Sequence, residues 1–174
     1  MSVPLTRAVL EIEQHVAAVG WNQPPRLYAL VETAELVRHE PALAGRLGGA
    51  VEDALVPGHV TPVEQDELPD HSTIEELLGG IVWPPEVAGT ALVVERLMVP
   101  AEVEAQMPEG ESEALRWLAE HPERQEVRIA VGVLRNGHSE CAIRLRSHDE
   151  DTSVMSGRDL VPGLVDALAG TLTD

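Results

Sequence analysis

Four arginines fall within one stretch of chain, 126–146 (EVRIAVGVLRNGHSECAIRLR): Arg128, Arg135, Arg144 and Arg146. A guanidinium stays charged and meets a carboxylate or phosphate with two parallel N–H donors, so two of them side by side make a small-anion site. Whether they come together depends on how the stretch folds back on itself. Val127, Ile129, Val131 and Val133 alternate with other residues, as do Cys141, Ile143 and Leu145. This period of two marks a β-hairpin with one buried face. A two-residue turn at Asn136-Gly137 would set Ile129 against Arg144 and Val127 against Arg146, splitting the apolar face. A three-residue loop, Arg135-Asn136-Gly137, with Gly137 in a left-handed bulge, instead pairs Ile129 with Ile143 and Val131 with Cys141. The second register is expected. It sets Arg128 opposite Arg144 and Glu126 opposite Arg146. Like charges facing each other are unfavourable, so something negative must lie between them. That is either an external anion or one of the chain's own carboxylates, such as Glu140, Glu95 or Glu126. The small residues Ala130, Gly132 and Ala142 beside the pair suit a groove or a helix lying close on the sheet.

Other chemistry is scarce. All 12 basic residues are arginine, which removes Schiff-base chemistry, a phosphate-loop lysine and a lysine base. Leu47-Gly48-Gly49 and Leu78-Gly79-Gly80 follow helical runs, whereas a nucleotide-binding loop follows a strand. There is no Gly-x-Ser-x-Gly nucleophile elbow. Seven histidines, at 15, 39, 59, 71, 121, 138 and 148, form no His-x-x-x-His pair and no Cys/His cluster, so no zinc site is expected. His148-Asp149-Glu150-Asp151 is the densest run of metal-binding residue types. It lacks the spacing of a calcium loop and reads as a solvated turn. No catalytic residue, metal or cofactor is assigned.

Composition bounds the partners. The chain has 174 residues with 30 acids, a net charge of −18 and a pI near 4.6. This argues against nucleic acid, which needs a basic surface, and against anionic membranes. It suits solubility or a basic partner. The one cysteine, Cys141, falls on the apolar strand face and reads as a buried structural thiol. No basic-then-apolar leader and no apolar run near ~18 residues is seen, so a cytoplasmic location is expected.

The elements that position the hairpin can be read in outline. Leu5, Val9, Ile12, Val16 and Val19 form the stripe of an N-terminal helix that Gly20 stops. Such a stripe packs on its own sheet or forms a dimer seam. RLYALVE (26–32) and TALVVERLMV (90–99) read as strands, and Val60 to Val63 as an extra one. Trp21, Trp83 and Trp117 each precede a proline and a strand, and are expected to plug helix ends against the sheet. Short helices are expected near Thr33 to Arg38, from Pro41 through Leu55, at the capping box Thr73/Glu76, and over Ala114 to Glu120. The stretch 100–113 reads as an exposed acidic loop. A last helix starting at Asp159 buries Val161, Leu164, Val165, Leu168 and Leu172. The expectation is α+β: one domain, 1–174, with a mostly antiparallel sheet of three to five strands and the N- and C-terminal helices packed on it.

The strings WNQPPRLYALVETAELV, IVWPPEVAGTALVVERLMVP, HPERQEVRIAVGVLRNG, CAIRLRSHD and GRDLVPGLVDAL together resemble a small actinobacterial family of uncharacterised proteins. The resemblance covers most of the chain. It implies a bacterial cytoplasmic origin and a compact α+β fold, and carries over no activity, cofactor or catalytic residue.

Three functions compete. The leading expectation is a non-enzymatic acidic interaction or regulatory protein. The second is a small-anion binding or enzymatic domain using Arg128 and Arg144, with Arg146 or Arg135 nearby. The third is a homodimer joined by the helical stripe or the hairpin edge.

Overall fold

A computed structural model describes residues 3–39, 42, 58–65, 68, 74–150, 153–157 and 161–172. The expected helix through Leu43 to Leu55, the cap at Thr73 and the start at Asp159 lie outside the described residues. Helix α1 (Val3–Val19) leads into β1 (Arg26–Glu32) and α2 (Thr33–His39). Strand β2 (Val60–Glu64), α3 (Ile74–Gly79) and β3 (Gly89–Met98) follow. Then come α4 (Ala101–Glu104), α5 (Glu111–Glu120) and the hairpin β4 (Gln125–Leu134) and β5 (Ser139–Leu145). A 3-10 turn at Arg146–His148, strand β6 (Met155–Gly157) and α6 (Pro162–Thr171) complete the order.

The class is α+β, with six strands rather than three to five. They form one sheet in the order β2-β1-β3-β4-β5-β6, and every neighbouring pair is antiparallel. The strand that exceeds the expectation is β6. It has only three residues, Met155 and Ser156 are exposed, and no apolar alternation announces it. The expected loop at 100–113 contains α4 and the start of α5. Trp117 lies inside α5, and its ring meets His121 at 4.8 Å. The last helix begins at Pro162, whose missing N–H costs nothing in a first turn.

The hairpin adopts the three-residue loop. Arg128 faces Arg144, Ile129 faces Ile143, Val131 faces Cys141 and Val127 faces Leu145. Gly137 has φ +93°, a conformation that side chains other than glycine rarely adopt. Burial decides the register, because the other turn would have mixed arginine into the apolar face.

Both faces of the hairpin are covered, although alternation alone implied one. On one face, Val127, Ile129, Val131, Cys141 and Ile143 pack with Leu27, Leu92 and Val94 against Leu164 and Leu168 of α6 and Leu78 of α3. On the other, Leu5, Val9, Ile12 and Val16 of α1 pack on Leu30, Ala91, Val93, Ala130 and Ala142. The helical stripe therefore serves this chain's own sheet and ends at Val16, since Val19 is 60% exposed. The outer edge of the hairpin is paired with β6. Gly132 shows why the small residues are there. A methyl group at this position would come within 2.8 Å of Val9 Cγ2 and 3.0 Å of Leu5 Cδ1. The helix reading of those small residues holds, with α1 seated directly on them.

Candidate functional site

Arg128 and Arg144 lie under α1, on the face where the hairpin carries its small residues. They are among the most buried side chains described, at 0% and 2% exposure. A buried charge is tolerable only when it is paired and hydrogen-bonded. For Arg144 the partner comes from α1. Glu13, 1% exposed, receives Nη2 at 2.6 Å and Nε at 2.7 Å. Both nitrogens converge on Oε1, and Nε also reaches Oε2 at 3.2 Å, as charge-assisted hydrogen bonds. Asp149, just after the 3-10 turn, takes Nη1 at 2.9 Å.

Arg128 is met from β3. Glu95 stands opposite it in the β3–β4 register and accepts Nη2 at 3.3 Å. The same nitrogen donates to the carbonyl of Gly20, just past the end of α1. A cation there is favoured by the unsatisfied carbonyls and dipole of the helix C-terminus. Trp21 lies against the guanidinium, with its ring centroid 4.4 Å from the Arg128 carbon and 5.5 Å from that of Arg146. Such contacts are cation–π in kind and strengthen as water is removed. The Arg128 atoms Nε and Nη1 are buried with no hydrogen-bond partner among the described residues, and so is Gln23 Oε1.

The loop joining α1 to β1 is held by the same groups. Glu95 accepts the backbone N–H groups of Asn22 and Gln23, each at 2.9 Å. The Gln23 side-chain amide donates to the carbonyls of Val16 and Gly20, closing the end of α1. Arg146 donates to Asn22 Oδ1 at 3.1 Å and to Glu126 at 2.7 Å. Trp21 Nε1 donates to Asp149 Oδ2 at 3.0 Å. That hydrogen bond, with Arg144 adding to it, holds the Asp149 carboxyl below the usual carboxylate range.

Three of the four expected arginines are thus brought together, and Arg135 is not. Arg135 is seven residues from Arg128 along β4 and its turn, roughly 23 Å of extended chain. Its guanidinium donates to four carbonyls: Val87 at 2.6 Å, Pro84 at 2.8 Å, Trp83 at 3.1 Å, and Leu172 at the end of α6. It ties the hairpin turn to the α3–β3 connection and to the last helix.

Of the carboxylates expected near the pair, Glu95 meets Arg128 and Glu126 meets Arg146. Glu140 is buried and accepts from Thr6 Oγ1 at 3.0 Å. Sequence reasoning missed Glu13, Trp21 and Asp149 as members of the cluster. Glu13 left a trace, because it lies four residues after Val9 and three before Val16, on the buried side of α1. Asp149 left none within a run of acids that looks solvated.

Among the described residues no group of three or more His, Cys, Asp or Glu side chains is placed to hold a metal ion, and no helix is long and apolar enough to cross a membrane. Fold and site together define an α+β protein whose six-stranded sheet is clamped to its first helix by a buried arginine–carboxylate cluster. The chain belongs to the PPA1309-like protein family, whose model matches residues 5–173. No curated protein and no solved structure matches the chain.

Proposed function

We propose that this chain is a non-enzymatic interaction or regulatory protein that meets its partner through an acidic exterior. The observation that carries this reading is the inward use of the arginines. Arg128, Arg144 and Arg146 face Glu13, Glu95, Glu126 and Asp149. Three cations against four carboxylates leave no surplus positive charge to draw an anion from solution. The groups best suited to ligand chemistry thus hold α1 and its loop in place, and the chain as a whole carries a net charge of −18. A basic partner is attracted by such a field and steered towards it. The reading includes one domain over 1–174, a cytoplasmic location, an actinobacterial origin and no dealings with nucleic acid or membranes. The test is sedimentation of the labelled chain in native lysate at about 0.15 M and about 0.5 M salt. A heavier species that dissolves at the higher salt supports the reading. A chain that sediments alone at both contradicts it, and a dimer that persists when the purified chain is run by itself favours a homodimer.

One observation favours a second reading, a small-anion site at the same cluster. Among the described residues, two buried nitrogens of Arg128 have no hydrogen-bond partner, and a phosphate or carboxylate oxygen would satisfy them. Phosphate and acetate titrations followed by thermal unfolding test it. A saturable rise in Tm that Arg146→Gln weakens supports this reading, because a ligand binding only the folded state stabilises it by mass action. Identical melting at all anion concentrations removes it.

A further inference from the structure

At the other end of the sheet from Trp21, an open groove of about 830 Å³ lies between α2, the adjoining ends of β1 and β2, and the hairpin turn. It belongs to none of the contacts described above except through Arg135. Val31, Pro85 and Ala88 supply accessible apolar surface over the buried Leu36 and Leu134, while Glu32, Glu35 and Glu86 also line it. Arg135 borders the groove, but its guanidinium is turned onto four backbone carbonyls. Glu35 is shared with Arg38 and His39, and Glu32 and Glu86 are exposed. The volume falls in the upper part of the ~300–1,000 Å³ range of ligand sites. An apolar floor with an acidic rim is complementary to a ligand apolar on one side and cationic on the other.

We propose that this groove docks a basic amphipathic segment of a partner protein, a proposal that rests on the interaction-protein reading. Leucine-like side chains of the segment lie on Val31, Pro85 and Ala88, and arginines or lysines meet Glu32 and Glu86. This is the helix-in-groove mode, in which apolar anchors recur at i, i+3, i+4 and i+7. The floor supplies burial, and the rim sets orientation and the rate of encounter. The overall negative charge of the chain favours the same class of partner.

The probe is a fluorescein-labelled peptide of about 14 residues, with leucines at that helical spacing and arginines elsewhere. Its anisotropy is read against the full chain. Because any polybasic peptide will be drawn to so acidic a protein, two controls are built in. Glu32→Arg/Glu86→Arg should bind about tenfold more weakly, whereas Glu109→Arg/Glu113→Arg, acids on the far α4–α5 stretch, should stay within about twofold of wild type. A peptide of equal charge with serine for leucine should also bind about tenfold more weakly. Both altered acids are exposed, and Glu32→Gln/Glu86→Gln replaces the reversal if circular dichroism shows a disturbed fold. Equal weakening by both charge-reversal pairs, equal binding of the serine peptide, or full displacement by spermidine at matched charge overturns the proposal. If the groove pair leaves peptide binding unchanged while the salt-sensitive complex in lysate persists, the groove is wrong and the interaction reading stands. Loss of both results ends both.

Discussion

The two faces of this sheet are both buried, yet by different means. Towards α6 the contacts are apolar throughout: Leu164, Leu168 and Leu172 on Val127, Ile129, Val131, Cys141 and Ile143. Towards α1 the aliphatic stripe is interrupted by Glu13, and the strands below present Arg128 and Arg144. Aliphatic burial is non-directional, and many side chains of similar volume satisfy it. A buried ion pair is directional, and its net worth is small because desolvation offsets attraction. Removing one partner is nevertheless costly, since the other charge stays buried. We therefore expect the α6 face to carry more of the net stability. The α1 face is expected to fix where the helix and its following loop sit.

The largest effect should come from Glu13→Leu, which leaves Arg144 in the interior without its main carboxylate. A loss of about 3–5 kcal/mol is expected in urea unfolding, and a loss under about 1 kcal/mol would mean that Arg144 behaves as a surface charge. On the aliphatic face, Leu168→Ala opens a cavity beneath α6 at a fully buried position. About 3 kcal/mol should be lost, with no change in pH dependence. Gly132→Ala asks how closely α1 is seated. The added methyl meets Val9 Cγ2 at 2.8 Å, so about 2 kcal/mol should be lost. Val9→Ala in the same chain should return part of it, and if it returns none, helix contact is not the cause.

The smallest effect concerns pH. The carboxyl of Asp149 is held low, first by the Trp21 hydrogen bond and then by Arg144, while its side chain is 42% exposed. A carboxyl with a depressed folded pKa adds stability that is present above its unfolded pKa and lost as pH falls through the folded value. Asp149→Asn should therefore be slightly less stable than wild type at pH 7, and the gap should close on acidification below the usual carboxylate range. A gap that widens towards low pH would reverse the assigned sign.

The hairpin was legible because its alternation discriminates between the two turns that Asn136-Gly137 allows. Only the three-residue loop keeps the apolar residues of both strands facing one another. The two terminal helices were legible through their stripes at Leu5, Val9, Ile12 and Val16, and at Leu164, Leu168 and Leu172. Strand β6 was not, since three residues carry no period, and α4 was hidden because acidic, exposed helices resemble acidic loops. Within the site, the facing arginines and Glu126 opposite Arg146 could be read from register, and Glu95 was one of three candidate carboxylates for the pair. Glu13 is joined to Arg144 across 131 positions in the chain. A single acid beside an apolar stripe does not reveal whether it flanks the stripe or lies beneath it. Asp149 and Trp21 meet only because the 3-10 turn and the α1–β1 loop converge in space.

The most direct test of the clamp is a double-mutant cycle on Glu13 and Arg144, read by urea unfolding of wild type, Glu13→Leu, Arg144→Met and the double variant. Each single change should be strongly destabilising, the double variant should be more stable than either, and the coupling energy should be at least about 2 kcal/mol. Additive losses, the double variant losing the sum of what the two single variants lose, would contradict the clamp and return both arginines to the groups available for a ligand.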